Sequence, residues 1–272
     1  MNLHDARRVI VVSDAHGHVD LIENALAHAA FDPAHDGLVY AGDLVDGRSG
    51  PDEVRECIAL LKDRGAQFLW GNHDVATLLD YHIDYQDAET RPNFTGPFRD
   101  EFGRSGTNRW RLAVRVQGVF VTHAGISTDY LNDYLYADKS HRVDDPDGFV
   151  QFLNDLFDQA ARRQLATCQR DKLSRVMGRR SPHRFRPFRP DMGPDRVLPG
   201  VTQVAGHSAP ETFAGSWTAD DLARAGLHIV DPSYHLRSGH GGFRYAVIED
   251  GRVEVVDDST DHGTRAPSRI RS

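Results

Sequence analysis

Short β-branched apolar runs alternate with longer amphipathic stretches over the first 70 residues. Val9–Val12, Leu38–Ala41 and Phe68–Trp70 are each too short for a helix, so they predict buried strands. His18–Ala30 and Pro51–Arg64 place apolar residues at helical spacing between those strands. This alternation predicts a parallel sheet with helices packed on its faces, which is an α/β fold.

The pattern changes after residue 75. Residues 75–110 are rich in aromatic and polar side chains and predict a helical cap, and Asp147–Arg170 predicts an amphipathic helix with phenylalanines on one face. The remaining apolar runs are short and predict strands, with a hairpin at Gln117-Gly118 and another at Asp250-Gly251. These predicted strands are Leu112–Val116, Val119–Thr122, Thr202–Ala205, His228–Asp231, Phe243–Ile248 and Val253–Val256.

No internal repeat or linker divides the chain. We therefore expect one domain over residues 1–256, with helical insertions at about 75–110 and 128–200. Residues 175–200 are rich in arginine and proline and predict a long loop within the second insertion. Residues 257–272 are polar and predict a disordered tail.

Composition narrows the functional classes. Of the 272 residues, 39% are hydrophobic and 26% charged, as in ordinary globular proteins, and the net charge of -8 argues against nucleic-acid binding. The sequence has no apolar run long enough to span a membrane and its first residues lack the apolar core of a signal peptide. Cys57 and Cys168 are isolated and give no disulfide framework, so we expect a cytoplasmic protein.

Polar clusters follow the predicted strands and carry the candidate chemistry. They supply carboxylates, an amide and imidazoles, which should meet at one edge of the sheet because ligands bind beyond the carboxyl ends of strands. Mixed oxygen and nitrogen ligands suit a pair of divalent metals, and a metal pair suits phosphate ester hydrolysis. The clusters are Ser13-Asp14-Ala15-His16-Gly17, Gly42-Asp43-Leu44-Val45-Asp46, Gly71-Asn72-His73-Asp74, Thr122-His123-Ala124-Gly125 and Gly206-His207-Ser208.

In this order, the clusters resemble the signature of the calcineurin-like metallophosphoesterases. Within them the chain is most similar to the phosphoprotein-phosphatase branch and its bacterial relatives, the symmetrical diadenosine tetraphosphatases. The matching blocks cover about residues 9–80, 112–127 and 200–256. The resemblance implies a four-layer αββα sandwich, where periodicity alone gives only α/β.

The resemblance also implies a ligand set for two metal ions. Asp14, His16 and Asp43 would hold the first ion, and Asp43 would bridge to the second, which Asn72, His123 and His207 complete. The metals would lower the pKa of a bound water, so that a hydroxide attacks phosphorus in line. Divalent or trivalent ions fit; we expect Mn, while Fe, Zn and Mg also accept such ligands.

Further residues are assigned by the same resemblance. His73 would protonate the leaving oxygen, and the carboxylate of Asp46 would orient it. Gly47 stands where the branch usually has an arginine, so Arg48 is the candidate phosphate ligand from that loop. Arg186, Arg189 and Tyr234 are further candidates for binding the substrate.

Three functions remain open, and the arginine-rich loop leaves a fourth, a phosphatase domain in RNA-end repair. The leading one is a phosphatase that acts on phosphomonoesters, including phosphoserine or phosphothreonine in proteins. The second is hydrolysis of a nucleotide anhydride such as diadenosine tetraphosphate, which Gly-Asn-His-Asp and Asp32-Pro33 favour. The third, of another class, is a phosphate-ligand binding protein with an inactive site. The expected partner in each case is a phosphorylated protein, small phosphoester or nucleotide, with no membrane.

Overall fold

Two β-sheets lie at the centre of the computed structural model. It describes residues 3–46, 50–81, 83, 86–103, 110–128, 145–167, 193–209, 217–232 and 242–258. The first sheet has the strand order β10-β9-β1-β2-β3-β4 and the second the order β5-β6-β7-β8. The strands of the first sheet are β1 (Arg8–Val12), β2 (Asp36–Tyr40), β3 (Gln67–Leu69), β4 (Trp110–Arg111), β9 (Arg244–Glu249) and β10 (Arg252–Asp257). Those of the second are β5 (Ala113–Val116), β6 (Val119–Thr122), β7 (Gln203–Ala205) and β8 (Leu227–Ile229).

Six α-helices are described. They are α1 (Val19–His28), α2 (Pro51–Asp63), α3 (Asn72–Leu78), α4 (Thr90–Gly103), α5 (Pro146–Thr167) and α6 (Ala219–Arg224). The predicted helices at residues 18–30, 51–64 and 147–170 are confirmed to within a few residues, and α3 and α4 occupy the predicted cap.

Alternate residues of β1 face opposite layers. Val9 and Val11 pack in one apolar cluster with Val121 of the second sheet, while Ile10 packs in another with Ile22 of α1. This two-residue period is the pleat of a strand buried on both sides. On the far face of the second sheet, α5 packs against β5 and α6 packs against β8. The layers therefore run helices, sheet, sheet, helices, as expected for the αββα sandwich.

The chain crosses between the sheets at Leu112. Trp110 pairs in parallel with Phe68 of the first sheet, whereas Ala113 pairs antiparallel with Thr122 of the second. Asn154 of α5 replaces the missing ladder bonds: its Oδ1 accepts from Leu112 N at 2.7 Å and Ala113 N at 3.1 Å. The predicted hairpin is thus confirmed, but it begins at Ala113 because Leu112 is the crossing point.

Aromatic side chains fix the cap to the sheet. Phe94, Phe98 and Phe102 recur every four residues along α4 and are buried on one face. The Trp70 ring centroid lies 5.9 Å from that of Phe98 and 4.4 Å from that of Trp110. The aromatic residues of the cap therefore belong to the hydrophobic core, and they hold α4 beside the loop that follows β3.

The other predictions from composition concern cysteine and membranes. Cys57 is buried in α2, and burial raises the pKa of its thiol to about 12, whereas Cys168 lies outside the described residues. Within the described ranges no helix combines the length and apolar character needed to cross a membrane. The single-domain organisation stays a prediction, and residues 259–272 of the predicted tail lie outside the description.

Candidate metal centre

Loops after β1, β2, β3, β6 and β7 bring the predicted ligands to one edge of the two sheets. Ligand atoms of Asp14, His16 and Asp43 all lie within 4.8 Å of one another, and those of Asp43, His123 and His207 do the same. Asp43 belongs to both groups. This is the arrangement needed to hold two cations with one shared carboxylate.

His123 stands at the centre of the second group. Its Nε2 lies 3.0 Å from Asn72 Oδ1, 3.1 Å from His207 Nδ1 and 3.4 Å from Asp43 Oδ2. The described structure thus brings the amide of Asn72 into the same group as the two imidazoles. All six predicted ligands therefore lie in one compact cluster.

Backbone carbonyls orient two of the imidazoles. His123 Nδ1 lies 2.8 Å from the carbonyl oxygen of Ala41, and His16 Nδ1 lies 2.7 Å from that of Val45. A carbonyl can only accept, so each Nδ1 carries a hydrogen and donates it. In the neutral ring the lone pair is then on Nε2, which is the form a metal ion binds.

Five residues of the site have a left-handed backbone conformation. The φ angles of Asp14, His16, Asp43, Asp46 and His207 are 50°, 47°, 57°, 69° and 67°. Aspartate is among the non-glycine residues that tolerate this region best, yet each such residue still stores strain. Strained turns immediately after strands point the side chains of successive loops toward one another.

Two glycines allow these loops to approach each other. A Cβ at Gly71 would lie 2.1 Å from Asp43 Oδ1, and a Cβ at Gly206 would lie 2.0 Å from Asp14 Oδ2. No side chain fits at such distances. The glycine that opens each of these sequence clusters is therefore required by close packing against a carboxylate of the neighbouring loop.

Asp74 and Ser13 were not assigned roles from the sequence, but both hold the candidate ligands. The Asp74 carboxylate accepts from the backbone N–H of Asp43 at 2.9 Å, of Leu44 at 3.0 Å and of Gly71 at 3.1 Å. Ser13 Oγ donates to Asp14 Oδ2. The sequence signal for Asp74 was its place at the third residue of α3, where a carboxylate commonly reaches back to free N–H groups.

His73 and Asp46 form a pair beside the cluster. His73 Nδ1 lies 2.8 Å from Asp46 Oδ2, and the Asp46 side chain is fully buried while that of His73 is 13% exposed. Burial lowers the pKa of His73, but the carboxylates of Asp43 and Asp46 outweigh it and raise that pKa above its ordinary value. The two carboxylates therefore favour the protonated form of the His73 ring.

The electrostatics of the cluster suit a cation. Burial raises the pKa of Asp14, and the nearby carboxylate of Asp231 raises it further. Burial disfavours the charged form of His123, but Asp43 and Asp14 outweigh this and raise its pKa to about 10. A raised pKa of a buried carboxylate means that its negative charge lacks a nearby positive charge to stabilise it, and a bound cation would supply one. The donor set, the ring orientations and the glycine cradles all fit divalent metal ions.

Four predicted substrate-binding residues lie outside the described residues. They are Arg48, Arg186, Arg189 and Tyr234, and their roles stay predictions. The structure adds Asp231, which lies three residues before Tyr234, to the charged residues of the site. Its carboxylate is buried, and its negative charge acts to raise the pKa of Asp14 and of His16.

Comparison with known proteins identifies the family that this fold and site define. The family model described as calcineurin-like phosphoesterase matches residues 7–240. The chain belongs to that family. Enzymes of the family depend on a pair of metal ions, and the described residues provide candidate ligands for such a pair.

Curated relatives match a shorter part of the chain. Serine/threonine-protein phosphatase 1 of Salmonella typhimurium is 40% identical over 72 residues, which are 26% of this chain and 32% of the relative. The symmetrical bis(5'-nucleosyl)-tetraphosphatase of Actinobacillus pleuropneumoniae serotype 3 is 32% identical over 126 residues, 44% of this chain and 46% of the relative. The chain thus spans between a third and a half of the length of these relatives.

Solved structures share the fold at low sequence identity. A cold-active protein tyrosine phosphatase has a TM-score of 0.55 at 17% identity, with 92% of this chain and 78% of that chain covered. A protein serine/threonine phosphatase from Saccharomyces cerevisiae has a TM-score of 0.51 at 16% identity, with 93% and 80% covered. At these identities the likeness establishes the α/β sandwich alone.

Proposed function

We propose that the protein is a dinuclear-metal phosphatase that hydrolyses phosphomonoesters of the phosphoserine and phosphothreonine type. One observation supports this most directly: two ligand groups share Asp43, and the His73–Asp46 pair lies beside them. The metal groups would bind the phosphoryl group and the imidazole would serve the leaving oxygen. The ligand groups and the imidazole must lie close together if they are to act on the same phosphate ester.

The six ligands have distinct roles in this proposal. Asp14 and His16 would hold one ion, Asn72, His123 and His207 would hold the other, and Asp43 would contribute to both sites. When bound, a pair of metal ions supplies charge neutralisation for phosphoryl oxygens and lowers the pKa of water. Manganese is the ion we favour, although the donor set also accepts iron, zinc and magnesium.

His73 is the proposed general acid. Its Nδ1 donates to Asp46, which leaves Nε2 to carry the proton that passes to the leaving oxygen. Its backbone N–H donates to Asp43 Oδ1 at 2.9 Å, so its position is tied to the shared ligand. Asp46 in turn accepts from the Asp87 N–H at 3.2 Å. An intact acid of this kind favours an enzyme over a binding protein with an inactive site.

Nucleotide anhydride hydrolysis is the alternative, and the relatives favour it. Several of them are named as symmetrical bis(5'-nucleosyl)-tetraphosphatases, and one matches 44% of this chain. Both reactions need the same metals and the same acid, so the choice depends on the substrate pocket. The predicted phosphate ligands Arg48, Arg186 and Arg189 would serve either substrate.

A turnover panel tests the proposal. The metal-loaded enzyme is assayed with p-nitrophenyl phosphate, its bis ester, phosphoserine and phosphothreonine peptides, and diadenosine tetraphosphate. We expect kcat/KM to be highest for the phosphopeptides. A higher kcat/KM for diadenosine tetraphosphate would establish the alternative, and absence of turnover on the whole panel would leave a binding protein. The Asp43→Asn variant, which changes the shared ligand, is assayed on the same panel. The Asp63→Asn variant makes the same change at an exposed carboxylate and is its matched control.

A further inference from the structure

A pocket of about 680 Å³ lies in the cap, and its lining residue Asp87 is hydrogen-bonded to Asp46 of the His73–Asp46 pair. Its volume is in the range of small-molecule and peptide-binding sites. It is formed by Asp80, by residues 86–88 and by the first turns of α4. The residues lining it are Asp80, Gln86, Asp87, Ala88, Arg91, Pro92 and Thr95.

The pocket contains hydrogen-bonding groups that the folded chain does not use. Both the nitrogen and the oxygen of the Gln86 amide, and the Thr95 hydroxyl, are buried without a hydrogen-bond partner among the described residues. Leaving such a group unpaired costs about 1–3 kcal/mol. A ligand that offers one donor and one acceptor side by side, as a peptide group does, would satisfy the Gln86 amide.

The charges of the pocket select among ligands. Arg91 is paired with Asp80, its Nε lying 3.0 Å from Asp80 Oδ1. The Asp87 carboxylate accepts from the backbone N–H of Glu89 at 2.9 Å, and no cation of the described residues forms an ion pair with it. Among the described lining residues, Asp87 is the charged group that forms no ion pair with another described residue, so its carboxylate would attract a positive charge and repel the phosphates of a dinucleoside polyphosphate.

The described lining residues do not offer the surface that a nucleobase requires. None of them is aromatic, so none of them provides a ring on which a base could stack. Alanine and proline provide the apolar part of the wall instead. Amide, hydroxyl and carboxylate groups on such a wall suit a polypeptide with a basic side chain.

The pocket is connected to the proposed general acid by two hydrogen bonds. The N–H of Asp87 donates to Asp46 Oδ1 at 3.2 Å, and Asp46 Oδ2 lies 2.8 Å from His73 Nδ1. In the proposed mechanism His73 protonates the leaving oxygen, so these hydrogen bonds link the pocket to the residue that would meet the leaving group. In a phosphoprotein the leaving group is the serine or threonine together with its flanking residues.

We propose that this pocket binds the polypeptide next to the phosphorylated residue, with a peptide group on Gln86 and a lysine or arginine side chain beside Asp87. The inference rests on the proposed phosphatase function and specifies its substrate: phosphoserine or phosphothreonine sites flanked by basic residues. Gln86 and Asp87 are then specificity-determining residues, and they act by binding.

Binding of matched peptides tests this inference. Two fluorescent peptides carry a non-hydrolysable phosphonate in place of phosphoserine and differ only in having lysines or glutamates two residues to either side. Their Kd values for the metal-loaded enzyme are measured by fluorescence anisotropy. A single ion pair at a partly enclosed site should make the lysine peptide bind about tenfold more tightly, which corresponds to 1.4 kcal/mol.

Three variants separate the contributions. Asp87→Asn keeps the N–H that holds Asp46, and it should reduce the lysine preference to about twofold or less. Gln86→Met keeps the volume and should weaken both peptides by about five- to tenfold without changing their ratio. Glu89→Gln makes the same charge change at an exposed residue that does not line the pocket, and its ratio should match the wild type.

The outcomes distinguish this inference from the function it rests on. Turnover of p-nitrophenyl phosphate by the wild type tests the phosphatase alone. If that turnover is present but Asp87→Asn and Glu89→Gln change the lysine preference equally, the pocket has no part in it and the inference is overturned. It is also overturned if Gln86→Met raises the KM for diadenosine tetraphosphate and leaves both peptide Kd values unchanged, since the pocket then binds a nucleoside.

Discussion

At the scale of single residues, Asp43 determines how the centre is built. Its Oδ1 accepts from the His73 N–H, its Oδ2 lies 3.4 Å from His123 Nε2, and its φ of 57° turns it into the site. Burial alone would raise the pKa of Asp43, but the imidazoles of His123 and His73 lower it. The shared ligand therefore stays ionised, and its neighbours are positioned relative to it.

Replacement of His73 by asparagine should expose its role as an acid. We expect turnover on esters with poor leaving groups to fall by about two to four orders of magnitude, the usual range for general acid catalysis. With p-nitrophenyl phosphate the loss should be smaller, because that leaving group needs less protonation. Bound metal, measured by plasma mass spectrometry, should be unchanged; a loss of metal would make His73 a ligand instead.

Asp74→Asn should loosen the site without touching substrate. The two Asp74 oxygens accept three backbone N–H groups, and an amide presents one oxygen and one donor, so at least one N–H loses its partner. We expect a loss of about 1–3 kcal/mol in the free energy of unfolding, measured with urea. Metal affinity should fall by about 10- to 100-fold, as for other changes to groups that orient ligands. Asp20→Asn, at an exposed position of α1, should change neither quantity.

At the scale of elements, short apolar runs predicted every described strand except β4, including the three-residue strands β3 and β7. Strands β1 and β2 and helices α1, α2 and α5 were predicted to within a few residues, since each has several apolar positions on a buried face. The two-residue strand β4 and the six-residue helix α6 were missed because neither completes a detectable period. The candidate ligands were predicted from the family resemblance of their clusters, whereas Asp74 acts through the backbone of the neighbouring loop and its sequence signal was its place in the first turn of α3.

Asp36 is a buried charged residue at the start of β2, and its replacement tests how much its hydrogen bonds contribute to the stability of the fold. Asp36 accepts from Arg7 at 3.0 Å, from Arg8 at 3.0 Å and from the Asp32 N–H at 3.0 Å. Asp36→Asn should lower the free energy of unfolding by about 2 kcal/mol at pH 7, because these are hydrogen bonds to a charged group. Asp63→Asn, at a side chain that is 79% exposed, is the control and should lose no more than about 0.5 kcal/mol.

The difference in the free energy of unfolding between the wild type and Asp36→Asn should depend on pH, and the pKa of Asp36 determines how. Burial alone would raise the pKa, but hydrogen bonds from Arg8, the Asp32 N–H and Arg7 bring it below the ordinary 3.8. A lowered pKa stabilises the fold fully above the unfolded value and loses that contribution as pH falls through the folded value. Urea unfolding should therefore show a constant gap between wild type and Asp36→Asn at neutral pH, which narrows only below about pH 4. A gap that narrows between pH 8 and pH 6 would contradict this assignment.

At the scale of the whole molecule, the centre draws on both sheets. Asp14, Asp43 and Asn72 follow strands of the first sheet, while His123 and His207 follow strands of the second. Ions bound between these groups would join the two layers. Stability and activity should consequently respond together to metal.

Removal of metal tests that coupling. Chelation should abolish hydrolysis of p-nitrophenyl phosphate, Mn should restore it, and the melting temperature should rise on reloading because the ions bind only the folded state. Asp43→Asn should be the most damaging ligand change, since that residue belongs to both candidate ligand groups. Full turnover by a chelated enzyme shown to contain no metal would refute the dinuclear proposal.

The strand order has a consequence for how the chain folds during synthesis. On one side β1 pairs with β2 about thirty residues away, but on its other side it pairs with β9, where Val9 faces Ile248 and Val11 faces Ala246. The N–H and C=O groups on that side of β1 stay open until residues 244–249 have left the ribosome. An apolar strand left unpaired for so long is a template for intermolecular pairing. Chains stalled before residue 244 should therefore aggregate or bind chaperones, whereas chains that include the β9–β10 hairpin should not.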